Sequence, residues 1–437
     1  MATDFATILM RRGSADYWAG SGRPLSSGEW GYDETNRVVK IGDGFTMWND
    51  LPAATLSSAD GQLPTVVRSA LASNIVDIST TEGAAVAQAA GREGNFTVAS
   101  MGRARAAFAG VRAGTRSAKI LCVGDSTTAG YGTSSALSYP SRLVAALAAG
   151  VPARAGLSIP PRQVEDPRWS LGGWAVINSF GWADSLALMS DNPGVGLASY
   201  TPGALADTFD VYYFGTGGYG TLHVELDTGE KIDVDTSGAA GSVQKVTVTA
   251  SVATANHVVN FYNPTPKPVA VLGVDAYVAA TPNARVGNVG VSGSASGQWG
   301  SVQGAVTGSG SAAAIRAYAP DLTLIMLGIN DAKMAVSVDA YLANVAATIA
   351  AAKASGSVML LSVVPSNTPA EDALERQYRD ALPGFARTQG VGFVDILGRF
   401  GSYAESQPLG MYSDGLHPST IGYVDIATAV ARAIEVA

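Results

Sequence analysis

The chain has one cysteine, Cys122, and three histidines, His223, His257 and His417, among 437 residues. A lone cysteine forms no intrachain disulfide, and its place in the apolar run ILCV makes it a buried small hydrophobe. Three scattered histidines do not make a histidine or cysteine metal cage, and no metal or other cofactor is expected. Charge is sparse at 15% and leans negative, with a formal net of −8. With no basic cluster interleaved with aromatics, nucleic acid is excluded as a partner. No apolar run approaches a membrane span, and the start MATDFATILMRRGS lacks the basic-then-apolar order of a secretory signal. The expectation is a protein made soluble in the cytoplasm, with no membrane insertion.

What is present is enough apolar matter, 47%, to fill cores, in a chain long enough for two or three domains. The rest is organised around residues 119–131, KILCVGDSTTAGY. A short apolar strand stops at Gly124, and Asp125 and Ser126 follow in a tight turn. Such a turn presents a serine hydroxyl at the carboxyl edge of a sheet, where open α/β folds keep their chemistry. Gly-Asp-Ser alone is ordinary turn composition. Three later blocks change its weight: NVGVSGSASG at 288–297, LIMLGINDAK at 324–333 and SDGLHPSTIGY at 413–423. They add a glycine turn, an asparagine and an Asp-x-x-His, each where an apolar run ends or a helix begins.

In chain order, residues 1–56 read as a small β-module in which Trp18, Trp30 and Trp48 fill a tiny core. A strand is expected at 37–41, and Asp43-Gly44 is a hairpin-type turn. Residues 57–117, rich in Ala, Gly, Ser and Thr, read as a linker with some helix. The main domain occupies 118–155 and 284–437. Its strands are expected at 119–124, 286–291, 322–327, 358–364 and 392–396, alternating with helices at 139–149, 312–318, 338–354, 370–387 and 420–436. Nearly all-apolar strands alternating with helices give a three-layer α/β/α domain with a five-stranded parallel sheet. About 130 residues separate the first helix from the glycine block, too many for a loop. Residues 156–283 are therefore an inserted unit, and from Thr208 onward its short strands read as a β-sandwich.

His417 is the only histidine with a carboxylate, Asp414, three residues before it in such a block. A serine needs a base to take its proton, and the base needs an acid to orient it, so Ser126, His417 and Asp414 form a candidate catalytic triad. His223 and His257 lie in the β insertion and read as structural. Trp174, Trp182 and Trp299 belong either to the site or to the core. No G-x-S-x-G elbow surrounds the serine, which disfavours the common lipase fold.

The four blocks, GDS, VSG, GIND and DGLHP, resemble in order those of the SGNH or GDSL hydrolase superfamily of serine esterases. The resemblance covers residues 119–437 with the insertion excised, and departs mildly in having Thr127 after the serine. It implies Ser126 as nucleophile, Asp414 and His417 as its partners, and an oxyanion hole from Ser126, Gly293 and Asn330, with Gly290 as a rival to Gly293. The amino-terminal pattern RRGSADYW, LSSGEWGYDE and VVKIGDGFTMWNDLP resembles the short module of bacteriophage tail fibre and tailspike proteins. That resemblance implies a homotrimer, other phage tail proteins as partners and a place in the virion tail. The sandwich resembles the jelly rolls of carbohydrate-binding modules that accompany some carbohydrate esterases.

Together these resemblances imply an esterase that removes O-acyl groups, acetyl foremost, from a bacterial surface polysaccharide or glycolipid. The insertion is expected to overhang the site and to be separable from catalysis. Two other readings stay open: a lipid or thioester hydrolase on the same scaffold, and a receptor-binding tail protein with little or no turnover.

Overall fold

A computed structural model describes residues 10–51 and 96–436, except for positions 27–28, 37, 149, 162–163, 165, 184–185, 239–240, 253 and 301–309. The chain divides into two units, Met1–Ala87 and Gln88–Ala437. In the first, strand Trp30–Asp33 pairs in parallel with Met10–Gly13 and antiparallel with Val38–Ile41. The small core is Trp18, Leu25, Trp48 and Leu51, with the Trp18 and Trp48 rings stacked at 3.9 Å. Trp30, expected in that core, is only half-buried. At the expected hairpin turn the Asp43 carboxylate accepts the N–H groups of Phe45 and Thr46 at 2.9 and 2.7 Å, but no second strand follows among the described residues of this unit, so it is a capped bend and not a hairpin.

The second unit is built on a parallel sheet in the order Ala153–Ser158, Ala284–Asn288, Ala118–Gly124, Leu322–Met326, Ser357–Leu361 and Gly392–Val394. Strand period two sends alternate side chains to opposite faces. Ile120 and Cys122 join helices Val98–Arg112, Tyr139–Leu147 and Thr420–Val436 on one face. Leu121 and Val123 join Ser311–Tyr318, Val338–Lys353 and Pro369–Gln389 on the other. Both faces are covered, as the unbroken apolar runs require.

Two expected boundaries move. The segment 57–117, expected as a linker with some helix, contains Val98–Arg112, a full helix whose Met101, Ala104, Ala107, Phe108 and Val111 are buried in the hydrolase core. Thr97 and Ser100 close its amino end with reciprocal hydrogen bonds. The hydrolase therefore begins near Phe96; residues 57–95 of that segment, with 52–56 of the β-module, lie outside the described residues. A sixth parallel strand, Ala153–Ser158, also joins the sheet, so the insertion starts after Ser158.

The insertion is a sandwich, but it is not a free module. One of its sheets holds Lys231–Asp235, Thr221–Leu226, Val259–Tyr262, Ala198–Tyr200 and Trp169–Ser170. The other, containing Ser242–Thr249, Thr208–Gly215, Val269–Tyr277, Leu186–Ser190 and Ala175–Trp182, continues the hydrolase sheet. The join is the antiparallel pairing of Val274 with Ser158, supported by an Arg285–Asp275 ion pair at 3.0 Å. Every residue of Thr208–Gly215 is buried. Phe209, Val211 and Tyr213 face the sandwich core, while Tyr212 and Phe214 pack into the hydrolase core beside Ile315 and Tyr318. The expectation of separability is thus corrected, because deleting these strands strips the hydrolase sheet of part of its cover.

Candidate active site

Ser126 opens the short helix Ser126–Ala129 directly after the central strand Ala118–Gly124. The strand ends among neighbours on both sides, so the hydroxyl sits at the middle of the carboxyl edge. The Asp414–His417 turn reaches it from just before the helix Thr420–Val436. Ser126 Oγ lies 2.9 Å from His417 Nε2, and His417 Nδ1 lies 2.9 Å from Asp414 Oδ2. Asp414 Oδ1 also accepts the backbone N–H groups of Leu416 and His417 at 2.7 and 2.6 Å. Partial burial alone would raise the Asp414 pKa, but these donors and the imidazole hold it below the usual carboxylate range. The structure therefore brings the three candidate residues into one hydrogen-bonded line.

The glycine block continues the ladder beside the serine strand, with Val289 N–H on the Cys122 carbonyl and Val291 N–H on that of Gly124. Gly293 follows with φ of +81°, a left-handed conformation that favours glycine. Its N–H and that of Ser126 are used by no other group among the described residues. Gly290, the rival, has its N–H on Asn288 Oδ1 at 3.0 Å. A Cβ there would lie 2.2 Å from the Ala129 nitrogen, so Gly290 is small because the turn after the serine packs against it. Asn330 Nδ2 donates to the Ser294 carbonyl at 2.9 Å, which leaves its second amide hydrogen available.

Supporting residues that motif reading missed surround these. Asp331 is fully buried and takes the Ser296 N–H at 3.0 Å and its hydroxyl at 2.5 Å, tying the asparagine turn to the glycine loop. Asp125 caps Thr127 N–H at 2.9 Å, and burial pushes its carboxyl up to about 7. Both lie inside quoted motifs, where their adjacency to Ser126 and Asn330 is the only signal. Tyr131 packs its ring 4.5 Å from the His417 imidazole, and nothing in its sequence context marks it.

The three undecided tryptophans are core: Trp182 Nε1 donates to the Leu272 carbonyl, Trp299 Nε1 to Ser294 Oγ and Trp174 Nε1 to the Gly196 carbonyl. His223 and His257 lie in the sandwich, 2.5 and 2.9 Å from Asp233 and Asp227. A cavity of about 40 Å³ between sandwich and hydrolase is lined by Arg168 and Ile159 on one side and by Ala129, Gly290 and Ser292 on the other. The insertion thus reaches the neighbourhood of the glycine loop.

Residues 266–424 match the GDSL-like lipase/acylhydrolase family. That stretch contains Gly293, Asn330, Asp414 and His417; Ser126 lies outside it, cut off in sequence by the insertion and restored by the sheet order. A peptidoglycan O-acetylesterase structure is similar over 78% of this chain and 97% of its own, at 15% identity and a TM-score of 0.61. An acetylxylan esterase from Geobacillus stearothermophilus is 23% identical over 35% of this chain and 73% of its own, with a TM-score of 0.27. A lipolytic protein of the G-D-S-L family from Veillonella parvula is 18% identical over 35% of this chain and 80% of its own, at 0.28. A search of curated proteins finds no relative. The fold around these residues is the SGNH hydrolase fold, and residues 266–424 are similar to the GDSL-like lipase/acylhydrolase family.

Proposed function

We propose that this chain removes O-acyl groups, acetyl foremost, from a bacterial cell-surface glycan by covalent serine catalysis. The observation that carries the reaction is the Ser126–His417–Asp414 line of hydrogen bonds beside uncommitted donors at Ser126, Gly293 and Asn330. His417 Nε2 takes the Oγ proton as Ser126 attacks the ester carbonyl. Asp414 fixes the tautomer with the proton on Nδ1 and stabilises the imidazolium that forms. The oxyanion is met by the N–H groups of Ser126 and Gly293 and by the Asn330 amide. Collapse breaks the ester C–O bond, and the alcohol leaves with the proton from His417. Water, deprotonated by the same imidazole, then frees the acid from Ser126.

Asn330→Ala is expected to lower kcat about 10²- to 10³-fold, the usual loss for one oxyanion donor. Steady-state cleavage of a soluble acetyl ester measures it, and a normal kcat would remove Asn330 from the site.

The glycan reading is supported by the fold likeness to a peptidoglycan O-acetylesterase, whose 78% coverage extends past the hydrolase residues into the sandwich. The amino-terminal resemblance to phage tail modules supports a homotrimer that acts from a virion tail, alongside other tail proteins. Mass spectrometry of O-acetylated cell-wall glycan and surface polysaccharide, before and after treatment, is expected to show loss of acetyl groups with matching release of acetate. Cleavage confined to long-chain lipid esters or thioesters would replace this reading with the lipid hydrolase. Light scattering on the full chain is expected to give three protomers; a monomer would count against the tail assignment.

A further inference from the structure

The group that must protonate the departing alcohol is His417 Nε2, and what lies beside that imidazole is what the alcohol half of the ester has to pass. Tyr131 lies there. Its ring centroid is 4.5 Å from that of His417, tilted by 43°. The residue is 40% exposed, while the His417 side chain is only 13% exposed, so beside the largely covered base the phenol is open to solvent. Its backbone is fixed from two directions. Tyr131 N–H donates to the Ser126 carbonyl at 2.9 Å, and the buried Tyr423 donates its hydroxyl to the Tyr131 carbonyl at 2.8 Å. One segment therefore carries both the nucleophile and this ring, five residues apart, and holds them in a set relation.

We infer that Tyr131 is the platform for the leaving alcohol, and that it selects esters whose alcohol is a flat-faced ring such as a pyranose; this rests on the glycan-ester reading above. The stereochemistry of the reaction supplies the direction. In the tetrahedral intermediate one oxygen lies in the oxyanion hole and the leaving oxygen must come within hydrogen-bond reach of Nε2. The substituent on that oxygen then extends along the imidazole, beside which the Tyr131 ring lies. A rigid, half-exposed aromatic ring offers amphipathic contact there at a low cost in conformational entropy, because only two side-chain torsions are frozen. The C–H face of a sugar ring buries apolar surface on it, while the sugar hydroxyls remain in water. A small alkyl alcohol is too short to cover the phenol, so the benefit is specific to the alcohol and is realised as the acyl group is transferred.

The test uses two acetates with the same acyl group, ethyl acetate and an O-acetylated methyl glucoside, and reads the ratio of kcat/KM for glucoside over ethyl ester within each enzyme preparation. Because both substrates meet the same folded fraction, the ratio is insensitive to losses of folded protein. In full-length Tyr131→Ala the ratio is expected to fall about tenfold, equivalent to about 1.4 kcal/mol. Tyr131→Leu, which keeps bulk without a flat face, is expected to lower it as well, and Tyr131→Phe to keep it within about twofold of the wild-type value, since the ring and not the hydroxyl carries the contact. Equal losses on both esters would mean that Tyr131 only holds His417 in place, and would overturn the platform. An unchanged ratio without loss would overturn it too. If the wild-type enzyme hydrolyses ethyl acetate but not the glucoside, the glycan-ester reading itself falls, and the platform with it.

Discussion

Ser126→Ala is expected to abolish ester cleavage, with kcat falling by about 10⁶-fold, the loss seen when a nucleophile is removed from such a unit. The wild-type enzyme is expected to take up one fluorophosphonate group at Ser126, read by intact mass and peptide mapping, and the variant none. The fold should survive the change. Ser126 Oγ bonds only to His417 among the described residues, and the neighbouring positions are held by backbone pairing and by the Asp125 cap. Removing the hydroxyl leaves the imidazole its Asp414 partner and opens a space no larger than one oxygen. Labelling at another residue, or retained turnover in the variant, would move the nucleophile elsewhere.

The residues of the line were legible because each is tied to a local punctuation of the chain. Gly-Asp-Ser ends an apolar strand, Gly-Ile-Asn-Asp ends another, and Asp414 and His417 are close enough for one turn to join them. The expected helices at 338–354 and 420–436 agree closely with Val338–Lys353 and Thr420–Val436, whose apolar faces recur at helical spacing. Helix Val98–Arg112 escaped the same reasoning because its buried face mixes the small Ser100, Ala104 and Ala107 with its larger apolar residues. Ala104 and Ala107 carry too little apolar contrast to stand out, although with Met101, Phe108 and Val111 they keep the spacing of a helix face.

The strand Ala153–Ser158 was hidden differently. Its sequence, ARAGLS, has a polar, half-exposed start and a glycine, and it is a strand because Ala284–Asn288 pairs along it. The fused sheet was not legible at all, since the pairing of Val274 with Ser158 joins positions far apart in the chain and leaves no local mark. The burial of all of Thr208–Gly215, and of Val269–Tyr277 up to its last residue, distinguishes these strands from ordinary sandwich strands with one wet face. The choice between Gly290 and Gly293 was likewise a matter of three-dimensional neighbours. One N–H is occupied by Asn288 and the other has no partner among the described residues, a difference that two glycines in the same block do not carry in their letters.

His417→Ala and Asp414→Asn are expected to differ in size and to be far from additive. Ser126 and His417 act as one unit, so removing the base should cost about as much as removing the nucleophile, about 10⁶-fold in kcat. Asp414→Asn keeps the shape of the side chain and should cost less, about 10⁴-fold. The geometry says why even an isosteric amide fails. Asp414 Oδ2 accepts from His417 Nδ1, while Oδ1 accepts two backbone N–H groups at 2.7 and 2.6 Å, so both oxygens must be acceptors. An asparagine has one acceptor and one donor end. With its carbonyl toward the imidazole, its NH₂ group faces the Leu416 and His417 N–H donors and the turn is forced open. With its NH₂ group toward the imidazole, Nδ1 becomes the acceptor and the ring proton moves to Nε2, which then points a hydrogen at Ser126 and cannot take one. Either way the base is lost while the imidazole remains. The double variant His417→Ala/Asp414→Asn is therefore expected to be no slower than His417→Ala alone, within about threefold, because an orienter has nothing left to orient. Rates on a single acetyl ester, corrected for folded fraction by circular dichroism, measure all three. An Asp414→Asn enzyme with near-normal kcat, or a double variant slowed by the product of the single losses, would show that the carboxylate acts independently of His417 and would break the line at its outer end.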